Sequence, residues 1–277
     1  MPTFQRDGIA FHFRDAGQGV PFVFQHGLGG DANQTFGLFA PPPGYRLLTM
    51  ECRGHGETRP LGDEKKFSLA AFVDDLCALF DELALPQVVI GGISMGAAVA
   101  LMMALRRPER VRGLVLSRPA WLDQPLPPNA ALYPVIAQLI RENGAERGLE
   151  LFVQTAEYLE IARTAPDAAK SLRGQFMHPR AEETVAKLGR IPRDVPSHDR
   201  QEWKAIAVPT LVLANRQDPI HPFAYGEAIA QLIPHAELRE LTPKSTEPER
   251  HARETQEFIQ SFLLQHFPRA EHASIGA

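Results

Sequence analysis

Hydrophobic and polar positions follow two patterns along this chain, short apolar runs and longer segments with helical spacing. The apolar runs are rich in β-branched and aromatic residues, which predicts buried strands. They lie at 20–25, 45–50, 88–93, 111–117 and 210–214, with weaker runs at 9–14 and 237–241. Runs that are apolar throughout are typical of strands buried on both faces, as in a parallel sheet covered by helices.

Helical spacing fills most of the intervals between these strands. Residues 69–83 place apolar side chains three and four positions apart, and Ser68 precedes them as an N-cap. Similar spacing at 97–107, 223–232 and about 249–262 predicts further helices. Strands and helices therefore alternate, which indicates a doubly wound α/β core.

The alternation lapses in the middle of the chain. Residues 121–203 have prolines clustered at both ends, several helical segments and no convincing strand. We therefore predict a core formed by 1–120 and 204–277, with a helical insertion at 121–203. The small, polar residues after Phe267 are expected to form a frayed tail.

Composition narrows the class of protein. Hydrophobic residues make up 44% of the chain and charged residues 22%, which are ordinary proportions for a globular protein. The net charge of −4, with both signs interspersed, argues against a nucleic-acid partner or a polybasic membrane anchor. No apolar run approaches the roughly 18 residues of a membrane span, and the first residues lack a signal peptide's apolar core. Without metal-ligand spacing, Cys52 and Cys77 suggest reduced thiols and a cytoplasmic protein.

One junction carries the strongest chemical signal. The apolar strand at 88–93 gives way to a small-residue helix through Gly92-Ile93-Ser94-Met95-Gly96. A serine in such a strand–turn–helix junction needs strained backbone angles, which glycines on either side make sterically accessible. The turn would hold the Ser94 hydroxyl out from the end of the sheet, as a nucleophile requires. Its alternative role is that of a helix N-cap.

Three further motifs accompany this junction. They are His26-Gly27-Leu28-Gly29-Gly30, Arg53-Gly54-His55-Gly56, and Asn215-Arg216-Gln217-Asp218-Pro219-Ile220-His221-Pro222. With the Ser94 turn they occur in the order typical of the α/β-hydrolase superfamily, which the chain resembles over nearly its whole length. The resemblance implies the α/β-hydrolase fold, with no metal or organic cofactor, and leaves the substrate open because this fold hosts many reactions.

The resemblance also assigns roles to individual residues. Backbone amides of Leu28 and Met95 would form the oxyanion hole, and Ser94 would attack the substrate carbonyl. Asp218 is the expected acid of the triad, because it follows a late apolar strand. Asp123 is the alternative, since some members carry the acid there. The triad order nucleophile, acid, base is that of the superfamily.

The base is the residue that departs from the family pattern. Counting back from Phe262-Leu263 reaches 244–246, where there is no histidine. The histidine nearest this position is His251, which we take as the base. His221, only three residues after Asp218, is the alternative and has the character of a local turn residue.

The insertion is expected to cover the catalytic end of the sheet as a cap. Arg118 and Trp121 are candidate substrate-binding residues: Arg118 could bind a substrate carboxylate or form an ion pair with the insertion. Other aromatic or apolar residues could line the pocket or pack in the cap's own core. They are Tyr133, Phe152, Tyr158, Phe176 and Met177.

These assignments predict a serine hydrolase that acts on a carboxylic ester or lactone through an acyl-enzyme. One alternative is hydrolysis of a C–C bond in a diketone-like acid. Another is a ligand-binding protein that has kept the hydrolase fold without its catalysis. The partner is a small-molecule substrate, and both a monomer and a homo-oligomer are compatible with the sequence.

Overall fold

The computed structural model describes residues 1–268, in which eight strands form one sheet. The strands are β1 (Thr3–Arg6), β2 (Ile9–Gly17), β3 (Val20–Gln25), β4 (Tyr45–Met50), β5 (Val88–Ile93), β6 (Val111–Ser117), β7 (Thr210–Ala214) and β8 (Ala236–Glu240). Their spatial order is β1-β2-β4-β3-β5-β6-β7-β8. The β1–β2 and β2–β4 pairs are antiparallel and the others are parallel. The predicted mostly parallel α/β sheet is confirmed.

Helices cover both faces of this sheet. They are α1 (Ala32–Leu38), α2 (Leu69–Glu82), α3 (Met95–Arg106), α4 (Leu132–Phe152), α5 (Ala156–Thr164), α6 (Pro166–Met177), α7 (Ala186–Arg190), α8 (Phe223–Leu232) and α9 (Pro248–His266). Successive side chains of a strand point to opposite faces. On β5, accordingly, Ile90 packs in a cluster with α2 and α3, while Val89 packs in a second cluster with α9. Within residues 1–268, no helix has the length and apolar content to cross a bilayer.

The carboxyl ends of the parallel strands bring distant segments together. The strands β3, β5, β6 and β7 are neighbours, so the residues that follow them meet at one edge of the sheet. The loop at 26–30 follows β3, and Ser94 follows β5. Arg118 follows β6, and Asp218 lies four residues after β7. Candidate residues separated by nearly 200 positions therefore share this edge.

The helices α4 to α7 lie between β6 and β7 in the chain, where the sequence predicts the helical insertion. Two buried cations join this segment to the loop after β4. Lys187 of α7 donates from Nζ to the Gly54 carbonyl at 3.1 Å, and Arg180 donates from Nη1 to the carbonyls of Gly56 (2.6 Å) and Thr58 (3.1 Å). We call these contacts the insertion seam. The expected frayed tail at 268–277 lies, but for Pro268, outside the described residues.

Candidate active site

Ser94 occupies a sharp turn between β5 and α3. Its backbone has φ 56° and ψ −112°, in the left-handed half of conformational space that non-glycine residues seldom adopt. Glycines make this turn fit: a Cβ at Gly92 would lie 2.3 Å from the Gly96 carbonyl carbon, and one at Gly96 would lie 2.2 Å from the Gln25 oxygen. The Gly-x-Ser-x-Gly spacing thus lets the chain reverse against β3 while holding the Ser94 side chain at the sheet edge.

The loop after β3 includes backbone amides without an acceptor among the described residues, and the Leu28 amide is one of them. Gly27 donates to the Gln34 side chain at 2.7 Å, and Gly30 donates to the Gly27 carbonyl at 2.9 Å. The Leu28 amide has no hydrogen-bond acceptor among residues 1–268. Met95 begins α3, where backbone amides have no partner inside the helix. Two amides in the loops beside Ser94 are therefore available to a negatively charged oxygen.

Two histidines hold this loop in place. The Nδ1–H of His26 donates to the Gly27 carbonyl at 2.9 Å, and its Nε2 accepts from the Cys52 amide at 3.1 Å. The Nε2 of His55 lies 3.0 Å from the Leu28 carbonyl. Burial lowers the pKa of His26 to about 4, so its ring is neutral. Both rings therefore contact backbone carbonyls of the loop at 26–30.

Asp218 lies at the centre of a buried charged cluster. Its Oδ2 accepts hydrogen bonds from Arg118 Nε at 2.8 Å and from His221 Nδ1 at 2.9 Å, and Arg118 Nη2 lies 2.6 Å away. Its Oδ1 accepts from the amides of Ile220 and His221, both at 3.1 Å. These two hydrogen bonds from backbone amides close a tight turn, which places the His221 ring next to the Asp218 carboxylate three residues before it. The sequence signal for this turn is Pro219 within it and Pro222 directly after it.

The protonation states within this cluster follow from burial and charge. Burial alone would raise the pKa of Asp218, but the charges of His221 and Arg118 outweigh it and hold that pKa below its usual range. Burial lowers the pKa of His221, Asp218 opposes this, and Arg118 lowers it further. The net pKa of His221 is below its ordinary value. At neutral pH the ring is therefore uncharged, with Nδ1 donating to Asp218 and Nε2 free to accept a proton.

His251 has a different environment. It is the fourth residue of α9, and its Nδ1–H donates to the Thr242 carbonyl at 2.8 Å. The expected Asp218–His251 hydrogen bond is not formed, because Asp218 instead binds the histidine of its own turn. Burial lowers the pKa of His251, and the Thr242 carbonyl partly opposes that shift. His251 is thus held by a backbone group at the end of β8.

The remaining candidate residues contact either the charged cluster around Asp218 or other residues of the insertion. Arg118 forms an ion pair, as one of its two predicted roles requires, but with Asp218 rather than with the insertion. Trp121 is buried and donates from Nε1 to the Pro192 carbonyl at 3.4 Å. Asp123, the alternative acid, pairs with Arg200 at 2.9 Å. The structure therefore brings Arg118 to Asp218, whereas Trp121 and Asp123 contact other residues of the insertion itself.

A cavity of about 530 Å³ adjoins Ser94. Its lining combines loops of the sheet edge with α4 and α6 of the insertion. The residues are Gly27, Leu28, Gly29, Gln34, Ile93, Ser94, Arg118, Tyr133, Asp167, Lys170, Ser171, Gly174, Gln175, His221, Lys244, Ser245 and Pro248. His221 and Ser94 thus face one space, whereas His251 and Trp121 are not in its lining. The Ser94 hydroxyl forms no hydrogen bond with any described residue.

The aromatic residues of the insertion mostly pack together. Phe152 lies 5.2 Å from Tyr158 and 5.3 Å from Phe176 between ring centroids, and all three are buried. Met177 is exposed, and Tyr133 alone of this expected set lines the cavity. Lys170 also lines the cavity, but it carries no functional signal in the sequence because a charged residue on a helix is typical of a solvated face.

Comparison with known proteins identifies the family. The family model for the α/β-hydrolase fold matches residues 20–245, which is most of the chain. The chain belongs to the α/β-hydrolase family. A non-heme chloroperoxidase from Kitasatospora aureofaciens is 30% identical over 243 residues, covering 84% of this chain and 87% of the relative. A 2-hydroxymuconate semialdehyde hydrolase from Pseudomonas putida is 28% identical and covers 83% of this chain and 82% of that protein.

Solved structures agree with this α/β-hydrolase architecture. The enol-lactonase of Burkholderia xenovorans superimposes with a TM-score of 0.72 over 95% of this chain and 99% of its own, at 23% identity. An esterase from Thermogutta terrifontis, with malate bound, gives a TM-score of 0.70 at 25% identity over 94% and 97% of the two chains. Named relatives of this α/β hydrolase thus include hydrolases of several kinds.

Proposed function

We propose that this α/β hydrolase is a serine hydrolase that cleaves a carboxylic ester or lactone through an acyl-enzyme. Support comes above all from one arrangement: Ser94 on its strained turn faces the same cavity as His221, whose Nδ1 donates to Asp218. Ser94 is the nucleophile, His221 the base and Asp218 the residue that orients it. The helical insertion at 121–203 acts as the cap over this site.

His221 replaces His251 in this proposal because of the partner of its Nδ1 atom. A carboxylate on Nδ1 fixes the tautomer with a free Nε2 and stabilises the imidazolium that forms during reaction. The Thr242 carbonyl on His251 fixes the same tautomer but carries no full charge. A neutral His221 is suited to remove the Ser94 proton.

The proposed reaction proceeds in two halves. Ser94 Oγ attacks the substrate carbonyl carbon while its proton passes to His221 Nε2. The amides of Leu28 and Met95 bind the resulting oxyanion, and the collapse of this intermediate expels the alcohol oxygen, which takes the proton from His221. Water, deprotonated by His221, then attacks the acyl-enzyme and releases the acid and free Ser94.

Reaction with a fluorophosphonate, followed by intact-protein and peptide mass spectrometry, tests the nucleophile. We expect one adduct, on Ser94, and its absence from Ser94→Ala. Turnover of p-nitrophenyl esters and lactones should fall by at least about 1000-fold in Ser94→Ala. Ester turnover that survives this substitution, or a wild-type protein that never reacts at Ser94, would contradict the proposal; the latter result would favour a ligand-binding protein.

A second candidate reaction is the hydrolysis of a C–C bond in a diketone-like acid. The similarity to the 2-hydroxymuconate semialdehyde hydrolase of Pseudomonas putida favours it. The same nucleophile and base would serve both reactions. A panel of esters, lactones and diketone acids assayed with wild type and Ser94→Ala would separate them.

A further inference from the structure

Two ammonium groups at the cavity lack an anionic partner. Lys170 belongs to α6 of the insertion, and Lys244 belongs to the turn after β8, so they reach the cavity from different parts of the chain. Neither forms an ion pair or a side-chain hydrogen bond with any residue of the described part of the chain. Both retain solvent exposure, which places them at the mouth rather than in the depth of the cavity.

Arg118 is the cation that the sequence offers as a candidate carboxylate ligand, and its charge is already compensated by Asp218. Its Nε and Nη2 both lie within 2.8 Å of Asp218 Oδ2, and its side chain is 11% exposed. A substrate carboxylate could recruit Arg118 only by competing with Asp218. Lys170 and Lys244 have no such competitor.

Asp167 is the one uncompensated carboxylate in the described lining of the cavity. Its Oδ1 is buried without a hydrogen-bond donor, and no cation of the described residues lies within ion-pair distance of it. With Arg118 and Asp218 cancelling each other, two ammonium groups and one carboxylate leave a single net positive charge. That balance fits a ligand with one negative charge better than a dianion.

We infer that the substrate carries a carboxylate that Lys170 and Lys244 bind at the cavity mouth while its ester or lactone carbonyl reaches Ser94. Such substrates are half-esters of dicarboxylic acids and lactones with a free carboxylate. This inference rests on the proposed function and names its substrate class. Partial burial and the nearby Arg118 lower the pKa of Lys244, so an anion would relieve an unfavourable charge there.

Matched esters provide the test. The mono-p-nitrophenyl ester of glutaric acid carries the carboxylate, and p-nitrophenyl butyrate is a neutral ester of similar length. We expect wild type to favour the anionic ester in kcat/KM. In Lys170→Gln and in Lys244→Gln that preference should fall about fivefold to tenfold, mainly through a higher KM for the anionic ester. Lys204→Gln, at an exposed lysine outside the cavity, is the control and should keep the preference.

Two further measurements sharpen the assignment. Asp167→Asn removes the opposing carboxylate and should lower the KM of the anionic ester severalfold. Added salt should raise that KM in wild type and less so in the Lys170→Gln/Lys244→Gln double variant, because screening weakens exposed charge pairs. An unchanged ratio between the two esters in both lysine variants would overturn the inference. The inference would also be overturned if Lys244→Gln lowered only kcat, and equally for both esters. Lys244 would then act in proton transfer rather than in binding the carboxylate.

Binding without turnover separates this inference from the proposed reaction. Titration of monomethyl glutarate, which carries one negative charge, into Ser94→Ala by calorimetry should show binding that Lys170→Gln/Lys244→Gln in the same background weakens at least about tenfold. Binding of this half-ester by a wild-type protein that hydrolyses no ester would preserve the anion site and contradict the hydrolase. Ester turnover without binding of the half-ester to Ser94→Ala and without charge preference would do the reverse.

Discussion

Buried cationic or ionisable nitrogen groups occur in two regions of this α/β hydrolase, and their partners differ. At the sheet edge, His221 and Arg118 both bind the Asp218 carboxylate. At the insertion seam, Lys187 donates its one side-chain hydrogen bond to the Gly54 carbonyl. Outside the seam, His251 likewise has a carbonyl partner, that of Thr242. A carboxylate can stabilise a charge that appears during reaction, whereas a carbonyl offers only a partial dipole. We infer that the first region is suited to move protons and the second to position backbone.

The largest effect should come from comparing the two histidines. We expect His221→Ala to reduce kcat for a preferred ester by about 1000-fold, because general-base catalysis supplies roughly that factor. His251→Ala should reduce kcat by less than about tenfold, since its ring holds the Thr242 carbonyl. Steady-state kinetics measure both, with thermal unfolding to verify that each variant is folded. The opposite order would identify His251 as the base.

A smaller effect should come from Arg118. For a general base, kcat/KM rises with pH through the base's pKa, which for His221 lies below the ordinary histidine value of 6.5. Removal of the Arg118 charge in Arg118→Met should raise the pKa of His221 and move this rise to higher pH by about one unit. Arg200→Met, which breaks the more exposed Asp123 pair, is the matched control and should leave the profile in place. A profile that does not move would show that Arg118 does not tune the base.

The smallest effect should appear in stability rather than rate. Burial, aided by the charge of Arg180, lowers the pKa of Lys187 to about 7 from an ordinary 10.5. Between these values the unfolded chain binds more protons, so this lysine makes the free energy of unfolding rise with pH from about 7 upward. Lys187→Met should be about 1 kcal/mol more stable than wild type at pH 6 and lose that advantage by pH 9.

Urea unfolding of wild type, Lys187→Met and the exposed control Lys204→Met at several pH values would measure this difference. If the free energies of unfolding of wild type and Lys187→Met changed in parallel with pH, the ionisation of Lys187 would not be coupled to folding.

Particular residues show how far the sequence alone reaches. The strands Val20–Gln25, Tyr45–Met50, Val111–Ser117 and Thr210–Ala214 have the bounds that their apolar runs predict, because burial on both faces leaves a continuous signal. The strand Thr3–Arg6 was missed, because an exposed edge strand of mixed polarity carries little such signal. The helix α4 is interrupted by non-helical backbone at Gly144 (φ 77°, ψ 168°), which the hydrophobic spacing alone does not locate.

The choice between the two histidines lay beyond sequence patterns. Asp218 and Arg118 are 100 residues apart, and their ion pair depends on β6 and β7 being neighbours. Whether His221 or His251 turns toward Asp218 depends on side-chain rotation and on the path of the Pro219–Pro222 turn. Neither the side-chain rotation nor the path of this turn can be predicted from residue spacing or hydrophobic pattern. The turn, strand and loop that carry Ser94, Asp218 and Leu28 were predictable, and the hydrogen bond between His221 and Asp218 was not.

The insertion seam has a mechanical consequence for the sheet edge. Lys187 and Arg180 donate hydrogen bonds to carbonyls of the loop after β4, at Gly54, Gly56 and Thr58. In the same loop, His55 Nε2 lies 3.0 Å from the Leu28 carbonyl oxygen. Movement of α7 would therefore be transmitted, through the loop and one imidazole ring, to the peptide unit beside the Leu28 amide. The insertion thus reaches the loop at 26–30 by two routes, indirectly through the loop after β4 and directly through Gln175 of α6, whose side chain lies close to Gly29.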